Sequence, residues 1–415
     1  MSLSSVLALG LAASTPNASE AEIPASAPKP AIHIDLAGQS PEQMPAFRPG
    51  GSGVERRDRS GGYLYSVALP QGTYRVTLTL GDKHSPGRTT VKAESRRLFL
   101  RDVPSKPGQT ITRTFLVDVR DARLPAQPAN APRFGQAVLL DERDLASFSW
   151  DDKLTLEFLG QPRVSAIHIE QADVPRLFLA GDSTVADQYT EPFTSWGQML
   201  PAMLDDRVAV ANHAKSGGTM KSFLAQLRFS KILTQVRKGD WLFIQFGHND
   251  QKAEWPMTYL DPELTYPAYL RSYIAEARRR GVHPVLVTSP ERRNFEADGH
   301  IKNTLGAYAD AARKVAAAED VPLIDLNRDS IAIMQALGPE VSPLAFAQDG
   351  KDRTHNNNYG AWLYAAAIAR RIGETIPELA PYIVVKGFDP DHPPLPGATP
   401  IAASLPLEES KPEGS

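Results

Sequence analysis

The chain has 415 residues, of which 42% are hydrophobic, so we expect two domains with packed cores rather than a single domain. Its formal net charge of −3 at pH 7 excludes a general electrostatic attraction to nucleic acid or to anionic membranes. Because the chain has no cysteine, disulfides, cysteine nucleophiles and thiolate metal sites are also excluded.

Residues 1–30 are rich in Ala, Ser and Pro, a composition that is typical of a disordered leader. Their short apolar run at residues 6–13 resembles the hydrophobic region of a secretory signal, although no positive charge precedes it. A disordered leader or an altered start is the alternative interpretation. The run is far shorter than the roughly 20 residues of a membrane span, so we expect no membrane span. Because the run resembles a secretory signal, we expect an extracytoplasmic location, secreted or periplasmic.

Residues 31–171 alternate apolar and polar side chains with period two, which is typical of strands that are buried on one face. The first two predicted strands are separated by a turn at Pro70-Gln71-Gly72, and few stretches of this region repeat at helical spacing. We therefore predict an antiparallel β-sandwich domain, with strand candidates at residues 63–69, 73–80, 89–93, 112–119, 154–159 and 164–169.

From Leu177 onward, short apolar runs alternate with segments of helical spacing. Strands that alternate with helices favour right-handed crossovers and a parallel sheet. We predict an α/β domain over residues 175–385, a three-layer α/β/α sandwich around a five-stranded parallel sheet, and a Pro-rich extended tail over 386–415. The predicted strands are residues 177–180, 208–211, 241–246, 284–287 and 323–326, and the predicted helices are residues 196–204, 220–236, 267–280, 304–318 and 359–372.

A small polar turn, Gly181-Asp182-Ser183-Thr184, directly follows the first of these strands. Ser183 is a candidate nucleophile, because chemistry in open α/β sheets gathers at the carboxyl ends of the strands. A serine hydroxyl is protonated at neutral pH, so it needs a base, a group that orients the base, and donors for the oxyanion. In isolation, the tripeptide fits a helix N-cap equally well.

Two later segments could supply oxyanion donors. Gly217-Gly218 follows the second predicted strand and would let the backbone approach a ligand, although an ordinary turn explains this pair as well. Asn249 follows the third strand, in a run of three polar residues, and its amide can donate to a developing oxyanion. Helix capping by Asn249 or Asp250 is the alternative.

A base and its orienting group are found just before the last predicted helix. Asp352 precedes His355 by three residues, so its carboxylate could fix the tautomer of the imidazole and leave the other ring nitrogen facing Ser183. Alone, this pair would indicate a surface histidine near a helix start. Other site types have less support: the sequence lacks Gly-x-Ser-x-Gly, a phosphate loop and His-Glu-x-x-His, and its nine histidines lack metal-ligand spacing.

Taken together, the four segments resemble the four blocks of the SGNH (GDSL) hydrolases, in the rhamnogalacturonan acetylesterase branch. The resemblance covers roughly residues 177–372 and is carried by Gly181-Asp182-Ser183-Thr184-Val185-Ala186, Asn212-x-Ala214-x-x-Gly217, Gly247-His248-Asn249-Asp250, and Asp352-x-Thr354-His355 before Gly360-Ala361. It implies a flavodoxin-like α/β fold, with no metal and no organic cofactor.

The resemblance also implies a role for each matched residue. Ser183 is the nucleophile, His355 is the general base and then the general acid, and Asp352 orients His355. The oxyanion hole is formed by the N–H groups of Ser183 and Gly217 and by the Asn249 side chain. In addition, the first domain is similar to the galactose-binding-like modules that precede this catalytic domain in some bacterial members.

The substrate-binding residues are less well defined by this pattern. Trp255, in a loop after the third block, could pack on a sugar ring or could anchor the loop to the core. Lys221 is the only basic residue of Gly218-Thr219-Met220-Lys221-Ser222, where the branch often carries Arg-Ser-x-Arg-Ser. We expect Trp255, Lys221 and Asp182 to contact substrate.

We therefore expect a carbohydrate esterase that removes O-acetyl groups from a plant cell-wall polysaccharide, rhamnogalacturonan- or pectin-like, through an acyl-serine. Its expected partner is an acetylated polysaccharide or oligosaccharide, and the polymeric substrate supports an extracytoplasmic location. The alternatives are an SGNH esterase that acts on xylan, lipid or other small esters, and a non-catalytic carbohydrate-binding protein. The polar, proline-containing loop after the third block favours carbohydrate over lipid.

Overall fold

A computed structural model describes residues 31–132 and 135–406. The predicted leader at residues 1–30 and the last residues of the predicted tail, 407–415, lie outside the described residues. Within those ranges the chain forms an antiparallel β-sandwich followed by an α/β domain with a parallel sheet, which confirms the predicted fold class. No helix in the described ranges combines the length and the apolar composition that crossing a bilayer requires.

The sandwich consists of two antiparallel sheets in the described part of the chain, with strand orders β1-β9-β4-β7 and β2-β3-β8-β5-β6. Alternate residues of β4, such as Val76 and Leu78, face a core that the second sheet closes with Val91 and Phe158. The elements are β1 (Ile32–Asp35), β2 (Ser52–Arg57), β3 (Tyr63–Ala68), β4 (Gly72–Leu80), β5 (Gly87–Ala93), β6 (Arg97–Ser105), β7 (Ile111–Val119), α1 (Glu142–Ala146), β8 (Lys153–Gln161) and β9 (Val164–Gln171).

All six predicted strands of this domain are present, but β1, β2 and β6 were not predicted. The turn at residues 70–72 carries the chain from one sheet to the other, because β3 pairs with β2 and β8 whereas β4 pairs with β7 and β9. The similarity of this domain to galactose-binding-like modules stays a prediction.

The parallel sheet of the α/β domain has the strand order β11-β10-β12-β13-β14. The order reverses between β10 and β12, and ligands of open α/β sheets bind in the crevice outside such a switch point. These strands are buried on both faces, which is why they appear in the sequence as continuous apolar runs. They are β10 (Arg176–Gly181), β11 (Ala209–Asn212), β12 (Trp241–Gln245), β13 (His283–Val287) and β14 (Leu323–Ile324).

Helices cover both faces of this sheet, as predicted for a three-layer sandwich. Leu177 and Leu179 of β10 pack in one core with Trp196 and Leu363, whereas Phe178 of the same strand packs in the opposite core. The helices are α2 (Trp196–Met199), α3 (Met220–Ala225), α4 (Arg228–Gln235), α5 (Thr265–Arg278), α6 (Gly306–Glu319), α7 (Leu326–Val341) and α8 (Asn358–Thr375).

Two helix predictions and one strand prediction need correction. The helix predicted over residues 196–204 is α-helical only over Trp196–Met199 and continues as a 3-10 helix over Leu200–Met203. The single helix predicted over residues 220–236 is two helices, because Leu227 adopts a left-handed conformation with φ of 62° and breaks the hydrogen-bond ladder. The predicted strand at 323–326 ends after two residues, and the unpredicted helix α7 begins directly at Leu326.

The C-terminal segment returns from the α/β domain to the sandwich. The described residues 386–406 contain no strand and no α-helix, which fits an extended segment. However, the last described residues of this segment pack on the sandwich, since Leu405 is buried against Leu64 and Leu159. Residues 386–406 therefore span both domains.

Candidate active site

The nucleophile candidate and the base candidate meet at the carboxyl edge of the parallel sheet, although 172 residues separate them in the chain. The Ser183 Oγ atom lies 2.9 Å from Nε2 of His355. On the far side of the ring, Nδ1 of His355 lies 2.9 Å from Oδ2 of Asp352. Ser183 follows β10, and the other two residues lie in the loop before α8. The structure thus brings the three residues into one hydrogen-bonded chain.

The Asp352 carboxylate is held in a fixed position by its own loop. Its Oδ1 atom accepts hydrogen bonds from the backbone N–H groups of Thr354 at 2.7 Å and His355 at 2.8 Å. Burial pushes the pKa of Asp352 upward, but the hydrogen bonds and charge of His355 outweigh burial and hold the pKa below its usual value. An ionised Asp352 accepts from Nδ1–H, so Nε2 is left as the acceptor that faces Ser183.

The turn that carries Ser183 is rigid because its polar side chains bond to one another. The Asp182 carboxylate accepts from the backbone N–H of Thr184 at 2.9 Å and from its hydroxyl at 2.8 Å. The Gln245 amide donates to the same hydroxyl at 2.6 Å. A Cβ on Gly181 would lie 2.6 Å from the Val185 side chain and 2.8 Å from the Gln245 carbonyl oxygen, so only glycine fits there.

Asp182 therefore does not have the substrate contact that we expected. Its side chain is fully buried (0% exposed) and its Oδ1 is engaged by Thr184. Burial raises the pKa of this carboxyl group. Asp182 shapes the turn around Ser183 rather than lining a cleft.

The loops after β10, β11 and β12 are tied together, which places the three candidate oxyanion donors near one another. Lys215 N–H donates to the Gly181 carbonyl at 2.9 Å, and Asn249 Nδ2 donates to the Gly218 carbonyl at 3.2 Å. Gly217 has a φ of 74°, a conformation that favours glycine. Across the described residues, the N–H groups of Ser183 and Gly217 donate to no protein acceptor.

The polar neighbours of Asn249 are buried. Asp250 accepts from the backbone N–H of Met220 at 2.9 Å, at the first residue of α3, and so joins the third loop to the second. Burial, together with the charge of Asp182, raises the pKa of Asp250 to about 7. Burial also lowers the pKa of His248, so its ring is neutral at neutral pH. In the part of the chain that the structure describes, no group of three or more His, Asp or Glu residues could hold a metal ion.

The other two candidate substrate contacts lie around the loop after β12. The Lys221 ammonium donates to the Tyr259 carbonyl at 2.9 Å, so it stabilises that loop and is not presented alone to a substrate. Trp255 is half-buried, and the Lys252 ammonium lies 4.1 Å from the centre of one of its rings. Met257 of the same loop is 84% exposed. A substrate contact of Trp255 stays a prediction.

Sequence reasoning missed two residues that support this site. Gln188 donates from Nε2 to the carbonyl oxygen of Ser183 at 2.7 Å and accepts from the Ser216 hydroxyl at 3.2 Å. Gln245, the last residue of β12, also accepts from the Trp196 indole at 2.7 Å. A glutamine in a loop carries no local signal for such a role, whereas a glutamine that ends an otherwise apolar strand is a detectable anomaly.

Comparison with known proteins places this site in a family. The sequence model of the GDSL-like lipase/acylhydrolase family matches residues 179–371. The chain is 39% identical over 212 residues to rhamnogalacturonan acetylesterase RhgT of Bacillus subtilis (strain 168), an alignment that covers 48% of this chain and 90% of RhgT.

A longer similarity reaches into the first domain. The chain is 27% identical over 335 residues to the uncharacterized esterase YxiM of the same organism, which covers 78% of this chain and 79% of YxiM. The crystal structure of the Bacillus subtilis YxiM protein matches with a TM-score of 0.47 and 22% identity, over 83% of this chain and 88% of that chain. On the family match and the similarity to RhgT, the chain belongs to the GDSL-like lipase/acylhydrolase family and is a serine carboxylic ester hydrolase.

Proposed function

We propose that this protein removes O-acetyl groups from an acidic, rhamnogalacturonan-like plant polysaccharide through an acyl-enzyme on Ser183. The observation that carries the proposal is the hydrogen-bonded chain from Ser183 through His355 to Asp352 at the switch point of the sheet. The similarity to RhgT, a rhamnogalacturonan acetylesterase, supports the substrate class. Because such a polymer cannot enter a cell, we place the protein outside the cytoplasm.

In the acylation half-reaction, the Ser183 Oγ forms a bond to the acetyl carbonyl carbon while His355 Nε2 takes the hydroxyl proton. The Asp352 carboxylate stabilises the imidazolium that results, because it accepts the Nδ1–H hydrogen bond. His355 then gives the proton to the sugar oxygen as the ester bond breaks. The sugar leaves with a free hydroxyl group, and the acetyl group stays on Ser183.

In the deacylation half-reaction, water attacks the acetyl carbonyl and His355 takes its proton. The tetrahedral intermediate collapses, the proton returns to Ser183 Oγ, and acetate leaves. In both halves the carbonyl oxygen becomes negative and is stabilised by the N–H groups of Ser183 and Gly217 and by the Asn249 amide. Asn249 Nδ2 has two hydrogens, of which one serves the Gly218 carbonyl, so the second can reach the oxyanion.

Positive charge beside the third loop suits an acidic polysaccharide. Arg292 donates to the His248 carbonyl at 3.3 Å, and its charge interacts with those of Glu291 and Asp182. Lys252 lies close enough to Arg292 for their charges to interact, and its ammonium lies over a ring of Trp255. We assign to Lys252 and Arg292 the contact with sugar carboxylates that the second loop, with Lys221 alone, does not provide, and to Trp255 the packing of a sugar face.

The proposal is tested by acetate release from purified protein. We expect release from acetylated rhamnogalacturonan and from an aryl acetate, slower release from acetylated xylan, and none from any substrate with Ser183→Ala. The rate of hydrolysis of an aryl octanoate measures whether the enzyme prefers a long, lipid-like acyl chain. Faster hydrolysis of acetylated xylan or of the octanoate would contradict the proposed substrate class, and unchanged turnover by Ser183→Ala would contradict the mechanism.

Asn249→Ala is expected to lower kcat for an aryl acetate about 100-fold or more, because loss of one oxyanion donor costs roughly 3 kcal/mol of transition-state stabilisation. Asn249→Asp, which keeps the shape but replaces the donor by an acceptor, should lose at least as much. Steady-state kinetics measure the effect, and circular dichroism verifies the fold. Wild-type turnover in either variant would remove Asn249 from the oxyanion hole.

A further inference from the structure

One loop supports both reacting side chains of the proposed esterase site. We call residues 187–194 the support loop. They follow the Ser183 turn in the chain and pack beside the loop that carries His355. An arginine of the β-sandwich, Arg96, holds this loop from the other domain.

Arg96 lies in the turn between β5 and β6 and is only 5% exposed. Its Nη1 donates to two carbonyl oxygens of the support loop, those of Gln188 at 3.2 Å and Phe193 at 2.6 Å. Its Nη2 donates to the Thr194 hydroxyl at 3.1 Å and forms an ion pair with Glu191 at 2.7 Å. One guanidinium therefore contacts the support loop at four points along its length.

The first end of the support loop holds the nucleophile. The Gln188 side chain donates to the carbonyl oxygen of Ser183 at 2.7 Å. The same side chain accepts from the hydroxyl of Ser216, the residue before Gly217, at 3.2 Å. Gln188 therefore sets the position of the nucleophile turn relative to the loop of the oxyanion glycine.

The second end of the support loop holds the base. The Phe193 ring meets the His355 ring edge-on, with centroids 6.1 Å apart and an angle of 86° between the planes. The backbone N–H of Thr194 donates to the Asn356 carbonyl at 2.9 Å, directly after His355. A shift of this end would move His355 relative to Ser183.

The acceptors around Arg96, one of them charged, are arranged for a guanidinium group. Burial pushes the pKa of Glu191 upward, but Arg96 and Lys92 outweigh burial and lower it to about 2, so Glu191 is ionised at neutral pH. The remaining Arg96 donor, Nε, bonds to the Ser404 hydroxyl at 3.1 Å. A lysine has a single ammonium group and cannot serve all of these separated acceptors.

A second anchor of the same kind lies at the start of the support loop. The Asp187 carboxylate pairs with Arg97 at 3.4 Å and with Arg120 at 3.1 Å, both from the sandwich. Asn212, at the end of β11, donates to the other oxygen of Asp187 at 2.8 Å. Breaking one partner of a buried ion pair leaves an uncompensated charge, so the sandwich cannot withdraw without disturbing the loop.

We propose that Arg96 is a positioning residue of the esterase, which acts from the β-sandwich through the support loop to set the geometry between Ser183 and His355. The inference rests on the roles proposed for those two residues. A displacement of about 1 Å in a reacting group can cost on the order of 100-fold in rate. The β-sandwich thus contributes to catalysis by positioning Ser183 and His355, whether or not it binds sugar.

The test compares Arg96→Ala and Arg96→Lys with Arg75→Ala. Arg75 also joins the sandwich to the α/β domain, through an ion pair with Asp206, but it does not touch the support loop. For an aryl acetate, we expect Arg96→Ala to lower kcat about 10- to 100-fold with little change in KM, and Arg96→Lys to recover part of the loss. Arg75→Ala should keep the wild-type kcat. Guanidinium ion, added well below denaturing concentration, should raise the kcat of Arg96→Ala but not of wild type.

Each outcome decides the proposal. Wild-type kcat in Arg96→Ala, an equal loss in Arg75→Ala, or no response to guanidinium would overturn it. If Arg96→Ala does not fold, Gln188→Leu takes its place, since it removes the amide that contacts Ser183 and leaves the Arg96 backbone contacts; wild-type kcat in that variant would also overturn the proposal. Full activity of Ser183→Ala would instead overturn the proposed function, so the two failures are distinguishable.

Discussion

Replacement of Ser183 by alanine is expected to lower kcat for an aryl acetate by at least about 10⁴-fold, and His355→Ala by a similar factor. Both residues act in the same step, because the Ser183 proton passes to His355 Nε2 across a 2.9 Å hydrogen bond. Once one partner is absent, the other has no role left. The double variant should therefore be no slower than either single variant.

A matched control for His355 exists within the chain. The spacing Asp-x-x-His also occurs at Asp389 and His392, whose side chains form a similar bond at 2.8 Å. The His392 side chain is 84% exposed, whereas that of His355 is 3% exposed and faces Ser183. His392→Ala should keep wild-type kinetics. Losses that multiply in the Ser183→Ala/His355→Ala double variant would show that the two residues act independently.

Asp352→Asn is expected to lower kcat on the order of 10⁴-fold while leaving the fold intact. An amide can donate to Nδ1 of His355, which favours the tautomer whose Nε2 carries a hydrogen and cannot accept the Ser183 proton. Asp389→Asn is the control, because it makes the same change in the exposed pair. Steady-state kinetics give the effect, and retained near-wild-type kcat in Asp352→Asn would mean that His355 needs no orienting carboxylate here.

The sign of the Asp352 pKa shift adds a pH expectation. Because the folded-state pKa lies below the usual value, the stabilisation from the ionised carboxylate is present at neutral pH and is lost only as the pH falls through that lowered pKa. Loss of activity in mildly acidic buffer therefore has to come from another group. A pH–rate profile that still has an acid limb in Asp352→Asn would agree with this assignment, whereas disappearance of that limb would contradict it.

The sequence predicted well those elements whose burial is visible in a short stretch of residues. Strands β10 and β12 are covered on both faces, so their continuous apolar runs are unambiguous. The four site segments were predictable for a related reason. Each follows a strand or precedes a helix, and a polar residue at such a position is visible without knowledge of the tertiary structure.

The parts that the sequence did not predict depend on distant partners. Glu94-Ser95-Arg96-Arg97 looks like a solvated turn between strands, yet all four residues are buried. The two arginines are paired with residues 90 or more positions away, Arg96 with Glu191 and Arg97 with Asp187. No local sequence pattern predicts such pairing. The substrate contact expected for Asp182 was wrong for the same reason, because the hydrogen-bond partners and the burial of Asp182 are properties of the folded turn.

The α3–α4 boundary shows a different limit. Residues 220–236 keep helical spacing throughout, and leucine rarely adopts a left-handed conformation, so nothing local indicates a break. In the fold, Leu227 has a φ of 62°, α3 ends at Ala225 and α4 begins at Arg228. Here tertiary packing overrides a regular hydrophobic pattern.

The central claim is that Ser183 is the nucleophile activated by His355, and covalent trapping tests it most directly. The purified protein is incubated with diethyl 4-nitrophenyl phosphate, and its peptides are analysed by mass spectrometry beside a sample of His355→Ala. We predict one diethylphosphoryl group per molecule, on Ser183, with activity lost in proportion to labelling and with very slow labelling in His355→Ala. Complete inactivation with Ser183 unmodified, or full activity with Ser183 labelled, would contradict the account.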